Sequence, residues 1–560
     1  MQKKSLFFLS AISIWALTSC SKLGALSADN FTVTPNPLEA QGGQVSATIN
    51  GSFPEKYMKK KATVTVVPEL RYGKGQSKKG TTATFQGESV YGNNQTISYR
   101  MGGHYTMKTV FPFISDMQRS DMYLTFNAYI GKKKVNIPAV KVATGVITTA
   151  ELYRRTLMNA GACLALDSFQ RVKARRQEAN VRFLINQANL RKSELKNNSV
   201  QEFVRMLKKI NADRERLNLK NVEVQAYASP DGGFKLNDKL ANKRQDVSEG
   251  YVKQQLKQTK VSTPIDAHYT AQDWDGFQKL VQASNIQDKD VILRVLSMYK
   301  DPQEREQQIR NMSEGFRELA DGILPELRRS RLIINYEIVG RSDEQIKAQY
   351  VSDPAKLSVE EMLYAAGLED SPAKKQEIYK KTAAYYDKDY RAYNNLAVIA
   401  FNEGDEATAK RYIEQALRMN PQAAEPNANL ALLALKYGEV QQAENYLANA
   451  VEANGFGEVL GNLNIAKGNF AQAQENFGTS NSNSAALAQL LNKDYATAKA
   501  TLGHVKHPDA MTNYLHAIVS ARQGNNYAAQ SYLKEALQKD PSLTDYAAND
   551  LEFSAVKNNE

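Results

Sequence analysis

A spacing of thirty-four residues constrains this chain more than any other feature in it. Tyr393, Leu396, Ala397, Gly404, Ala409, Ile413 and Ala416 are answered thirty-four positions later by Asn427, Leu430, Ala431, Gly438, Ala443, Leu447 and Ala450. A unit of that length holds two short helices and a turn, and one unit alone cannot bury its apolar face, so successive units must stack. Alanines in the frame let paired helices approach, while Gly404 and Gly438 turn the chain between them. Gly524, Ala529, Leu533, Ala536 and Pro541 give another good unit. Shortened units surround Gly468, Ala473 and Phe477, and then Ala498 and Leu502; an atypical unit around Leu363 starts the series. The expected product over residues 355–550 is an all-α solenoid with a concave inner surface.

This frame resembles the tetratricopeptide repeat (TPR), including Pro421 near the end of its first full unit. The resemblance implies a groove that takes an extended segment or a helix of a partner protein. Tyr393, Asn394, Asn427 and Asn429 lie on first helices and are the groove candidates.

At the other end of the chain, Lys3 and Lys4 precede an apolar stretch over residues 5–16, followed directly by Leu17-Thr18-Ser19-Cys20. The stretch is too short for a permanent membrane span. The order resembles a bacterial lipobox, which implies that residues 1–19 are a signal peptide and that Cys20 becomes an acylated N-terminus. Several acyl chains anchor stably where one is marginal. Residues 20–29 are then a lipidated tether. They carry no acidic run, so the expected address is the outer membrane, facing the periplasm. No later stretch approaches eighteen apolar residues. The only other cysteine, Cys163, is left without an intrachain partner and is expected to be a buried small hydrophobe.

Residues 30–148 read as strand after short strand, from FTVTP and QVSATING through ATVTVVPEL, TTATFQG and HYTMKTVF to MYLTFNAYIG and VNIPAVKVA. Short strands separated by Gly, Asn and Pro turns suggest a β-sandwich of immunoglobulin-like type. GKGQSKKGTT has the residues of a phosphate cradle, but Thr81 follows Gly80 where a lysine is required, so it reads as a solvated hairpin tip. Residues 149–178 read as a linker.

The segment 179–345 opens with a strand alternating at Val181, Phe183 and Ile185, followed by a helix with Val200, Phe203, Leu207 and Ile210 on one face. A second strand, Val222 and Val224, runs into the loop SPDGG and a Lys/Arg-rich helix. A right-handed crossover makes the two strands parallel neighbours. Gly232, Asn237, Leu240 and Arg244 match the G-x4-N-x2-L-x3-R core of the OmpA-like domain, and the stretch resembles that family. YASPDG, a helical insert containing DW and an LRRS strand make it similar to the variant found in lipoproteins of Bacteroidetes. The resemblance implies a βαβαβ α+β domain with a helical insertion and a peptidoglycan site. Arg244 offers its planar fork to a ligand carboxylate, and Asn237 ties the loop to the helix. The family's loop acid falls here on Ser229, with Asp231 two residues further on.

The formal charge of +12 is spread over every region, and no zinc finger, aromatic RNA-binding consensus or continuous basic helix accompanies it, so no nucleic-acid partner is expected. None of the common hydrolase, metalloprotease, redox or kinase motifs is present. His504 and His507 fall within one turn, but Pro508 follows and no third ligand is evident. No enzyme, metal or cofactor is therefore expected. Two interaction readings stand. In one, a non-catalytic envelope scaffold recruits proteins through its repeats and contacts peptidoglycan through its OmpA-like domain. In the other, that domain is a degenerate docking adaptor of a secretion or surface-assembly machine, without glycan binding.

Overall fold

The computed structural model describes residues 22–157, 162–286, 288–311 and 317–557. Cys20 and residues 1–19 lie outside them. The chain divides into two compact units, one of residues 1–167 with 369–560 and the other of residues 168–368.

The first unit combines a β-rich N-terminal region with the helical array. In the β-rich region, strands Phe31–Thr34, Leu38–Gln41, Gln44–Phe53, Gly103–Pro112 and Val146–Ile147 form one sheet, and seven further strands centred on Ala62–Tyr72 and Ser120–Ile130 form the other. Alternation in the sequence carries the packing: along Gln44–Phe53 the even-numbered side chains face out, and Val45, Ala47, Ile49 and Phe53 are buried. They meet Val64, Val66, Leu70, Met122 and Leu124 of the other sheet in one core. GKGQSKKG folds as a hairpin, with Gln76–Lys79 pairing back on the end of Ala62–Tyr72. The expected tether does not hang free. Leu23 and Leu26 are buried in the same core, and Tyr57 donates from its hydroxyl to the Gly24 carbonyl at 2.9 Å.

The array of this unit begins at Pro372–Tyr385, not at residue 355; the helix Val359–Gly367 that holds Leu363 belongs to the other unit. Five helix pairs follow among the described residues, from Tyr390–Asn402 with Glu406–Met419 to Ala510–Arg522 with Asn526–Lys539. Gly404, Gly438, Gly468 and Gly524 turn the chain inside four of them, all at positive φ, and Lys493 stands at the corresponding turn of the fifth with φ 65°.

The second unit is a four-stranded sheet in the order Val172–Arg182, Arg329–Val339, Leu217–Tyr227, Ile265–Thr270. Its first strand starts seven residues before the expected 179 and ends before Phe183 and Ile185. The first two strands in sequence are not the parallel neighbours that the crossover rule predicts; the last strand enters between them, antiparallel to both. Leu332, Ile333 and Ile334 are all fully buried, and a strand apolar on both faces is stabilised most in a central slot. Helices Asn198–Ala212 and Phe234–Gln258 cover one face, contributing Val200, Phe203, Leu207, Val252 and Leu256 to its core. The insertion, including Trp274–Ala283, Lys289–Met298 and Pro302–Arg310, has a small core of its own around Phe277, Ile292 and Leu327.

Candidate functional site

The inner face of the array is filled by its own chain. Residues 149–157 and 162–167 are not a linker: they run along the groove, and Leu152, Tyr153, Leu157 and Cys163 join the apolar core of the repeats. Full burial of a leucine contributes about 1.5–3 kcal/mol, so Leu152 and Leu157 alone fix the segment firmly. Thr156 and Ser484 meet through their hydroxyls at 2.9 Å.

From Cys163 onward the segment has no helix or strand, and asparagines hold its backbone. Asn395 accepts from the Ala165 N–H at 2.9 Å and donates to the Ala165 carbonyl at 3.0 Å. Asn429 accepts from the Cys163 N–H at 2.7 Å and donates to its carbonyl at 2.9 Å. Asn394 also donates to the Cys163 carbonyl, at 2.9 Å, and accepts from Asn429. Arg391 donates to the Asp167 carbonyl. A primary amide presents one acceptor and one donor side by side, so Asn395 and Asn429 each serve one residue of the segment as a neighbouring strand would. Such contacts recognise backbone and leave side chains unread.

Of the expected groove residues, Asn394 and Asn429 thus hold the chain's own segment. Asn427 does not face the groove; it donates to the Pro421 and Ala423 carbonyls at 3.3 and 2.8 Å and fastens the start of its helix. Tyr393 is half-buried on Tyr390–Asn402. Asn395, which sequence reasoning passed over, occupies the same place in the thirty-four-residue frame as Asn429. That recurrence was a signal open to a reader who compared asparagines, not only alanines and glycines. Cys163 is 1% exposed, and burial, with Glu425 and Glu458 nearby, pushes its thiol up to about 12.

The SPDGG loop brings Ser229, Asp231, Asn237 and Arg244 together, but in a self-satisfied arrangement. Arg244 is fully buried nearly three turns into its helix, Phe234–Gln258. Its guanidinium donates to the carbonyls of Gln187 at 3.0 Å, Tyr227 at 2.8 Å and Leu184 at 3.3 Å, over the Phe183 ring. Burial first, then the Arg328 charge, brings it down to about 10. The fork expected to take a ligand carboxylate is spent on backbone. Asn237 donates to the Ser229 and Gly232 carbonyls at 2.9 and 2.8 Å.

Arg328, not anticipated from the sequence, completes the loop. It pairs with Asp231 at 3.1 Å and donates to the Ser229 hydroxyl at 3.3 Å, its side chain 11% exposed. The Asp231 carboxylate is therefore already paired within the protein. Among the described residues no group of three or more His, Cys, Asp or Glu is placed to hold a metal ion, and no helix is long and apolar enough to cross a membrane.

The stacked helix pairs and their turn residues define a TPR-containing protein with a β-rich N-terminal region. A tetratricopeptide repeat model matches residues 390–422, the pair Tyr390–Asn402 and Glu406–Met419. The chain is similar to a tetratricopeptide repeat protein from Parabacteroides merdae, at 16% identity over 38% of this chain and 90% of the other, with a TM-score of 0.28. It is similar to Pseudomonas aeruginosa pilF at 16% identity over 38% and 99%, with a TM-score of 0.27. It is also similar to the APC/C Cut9-Hcn1 assembly at 13% identity over 50% and 57%, with a TM-score of 0.30. No curated protein matches the sequence.

Proposed function

We propose that this chain is a non-catalytic scaffold lipoprotein of the bacterial envelope, anchored through acylated Cys20 in the outer membrane and facing the periplasm. In this reading the central unit is an OmpA-like domain turned protein-docking adaptor, without a glycan site. The observation that carries it is the commitment of Arg244 to three backbone carbonyls, with Asp231 already paired to Arg328. Freeing Arg244 for a ligand would orphan buried acceptors, at a cost of about 1–3 kcal/mol for each group left unsatisfied.

The repeats serve the scaffold in a second way. Their inner groove secures the segment that follows the β-rich region in the chain, so a partner protein meets the remaining surface of the array. Stacked repeats are well suited to this because every helix pair adds exposed face as well as core.

Retention on purified sacculi tests the central claim. Wild type and Arg328→Ala are both expected to pass unretained. Retention of either, released by free diaminopimelate, overturns the docking reading in favour of wall binding. Crosslinking in intact cells, with identification of what is attached to residues 369–557, reads the partner directly.

A further inference from the structure

The β-rich region has two ends with different surroundings. At one, the helical array packs: a Cβ on Gly42 would come within 2.8 Å of the Lys467 carbonyl, and Gln118 reaches the Tyr546 carbonyl at 3.4 Å. The opposite end is where the described chain begins. Lys22 is exposed there, Tyr57 holds the Gly24 carbonyl, and the loops 54–61, 88–94, 98–102 and 131–134 meet around it.

Backbone hydrogen bonds fix this convergence. Gly131 donates to the Lys61 carbonyl at 2.9 Å, Ser89 to the Lys60 carbonyl at 2.7 Å and Lys56 to the Tyr99 carbonyl at 2.6 Å. The loops 54–61 and 131–134 carry seven lysines against one acid, Glu55. Glu88, the nearest acid on an adjoining loop, accepts from the Ser98 hydroxyl at 2.9 Å. Lys56, Lys60, Lys61, Lys132 and Lys134 are exposed, and Lys59 lies over the Tyr99 ring. Two large apolar side chains protrude at the same end: Tyr91 is fully exposed and Met101 is 77% exposed. Clustered lysines around a protruding tyrosine and methionine are the composition that adheres to an anionic bilayer, the cations over headgroups and the amphipathic ring at the interface.

We propose that this end of the β-rich region is a membrane-contact surface that binds anionic phospholipid headgroups, with Tyr91 and Met101 entering the interface. The proposal deepens the reading of Cys20 as the acylated residue, since Cys20 precedes Lys22 by two positions and its acyl chains would enter the bilayer beside these lysines. Acylation and the basic surface then act as two membrane signals, and the array is held at the far end of the β-rich region, away from the lipid.

The test uses the mature chain from residue 20 with Cys20→Ser, so that no acyl chain contributes. It is floated with vesicles of phosphatidylcholine alone and of phosphatidylcholine mixed with phosphatidylglycerol. Binding is expected only to the mixed vesicles and is expected to weaken as salt is added. The triple variant Lys60→Ser, Lys61→Ser, Lys132→Ser should lose about fivefold per lysine, roughly a hundredfold in all. The triple variant Lys74→Ser, Lys78→Ser, Lys79→Ser removes the same charge from the hairpin at the other end and should bind as the parent does. Equal flotation with both vesicle types, or equal loss in both triple variants, overturns the proposal. Mass analysis of the N-terminal peptide from cells reads acylation separately: an unmodified Cys20 with selective flotation retires the anchor and leaves the surface standing.

Discussion

Asn395 and Ala165 exchange two hydrogen bonds, the amide side chain accepting from the backbone N–H at 2.9 Å and donating to the carbonyl at 3.0 Å across 230 residues of sequence. Both groups of Ala165 are thereby satisfied where the residue is buried, and the array closes on the segment that follows the β-rich region in the chain.

Asn395→Ala should therefore cost more than its two net hydrogen bonds. It leaves a buried N–H and a buried carbonyl without partners, at about 1–3 kcal/mol each, and a loss of about 2–4 kcal/mol is expected in denaturant unfolding of the first unit. Asn395→Asp keeps the shape but presents only acceptors to the Ala165 carbonyl, and should be at least as damaging. A midpoint unchanged in both variants would show that the groove is not closed by this pair.

Cys163 reports the same closure chemically. With its thiol 1% exposed and pushed up to about 12, only about one molecule in ten thousand carries a thiolate at pH 8. In the Cys20→Ser chain Cys163 is the sole thiol, and it should resist a thiol reagent until the segment leaves the groove. Labelling should accelerate in Asn395→Ala and reach the rate of an ordinary thiol in denaturant. Rapid labelling of the native chain would contradict the buried placement.

Glu458 lies beside the same segment, and burial raises its carboxyl above the ordinary value of 4.5, against the hydroxyls of Ser480 and Ser482 that donate to it. A carboxyl whose pKa is higher in the folded than in the unfolded chain binds more protons when folded. Its contribution is complete below the unfolded value and is lost as pH rises through the folded one. Glu458→Gln, which keeps an acceptor for the hydroxyls, should raise Tm at pH 7 relative to wild type, with the difference closing as pH falls toward 4. A difference that is constant with pH would remove the linkage.

Lys493 is the one turn residue of the five helix pairs that adopts the left-handed conformation without being glycine. A side chain there costs about 1–2 kcal/mol, so Lys493→Gly should stabilise the array by about 1 kcal/mol. The reverse change, Gly404→Lys, should destabilise it by a similar amount, read as opposite shifts in Tm. Shifts of the same sign would show that the turn is not the cause.

Arg244→Ala should destabilise the second unit by about 3 kcal/mol or more, because it opens a cavity under Phe183 and takes the guanidinium donors from the Gln187 and Tyr227 carbonyls, leaving Leu184 only the Gln187 N–H. Arg244→Lys should recover only part, since an ammonium cannot reach three carbonyls in the geometry of a planar fork. Thermal unfolding of the two variants checks the order.

The sequence by itself determined what is periodic. The spacing of Ala397, Gly404 and Ala409 to their counterparts thirty-four residues on was enough to expect stacked helix pairs, and the alternation through Val45, Ala47 and Ile49 was enough to expect strands, because burial of one face is written in the order of apolar residues. The meeting of Ser229, Asn237 and Arg244 at one loop was legible for the same local reason, all lying within sixteen residues. What only the tertiary structure decided depends on residues far apart in the chain. Arg328 reaches Asp231 across 97 positions, the last strand displaces a parallel neighbour at the centre of the sheet, and Cys163 and Ala165 find Asn429 and Asn395 across more than two hundred. No local pattern announces which buried donor a carbonyl will take. That choice belongs to the packed chain, where every polar group shut away from water must find a partner among those the fold has brought near.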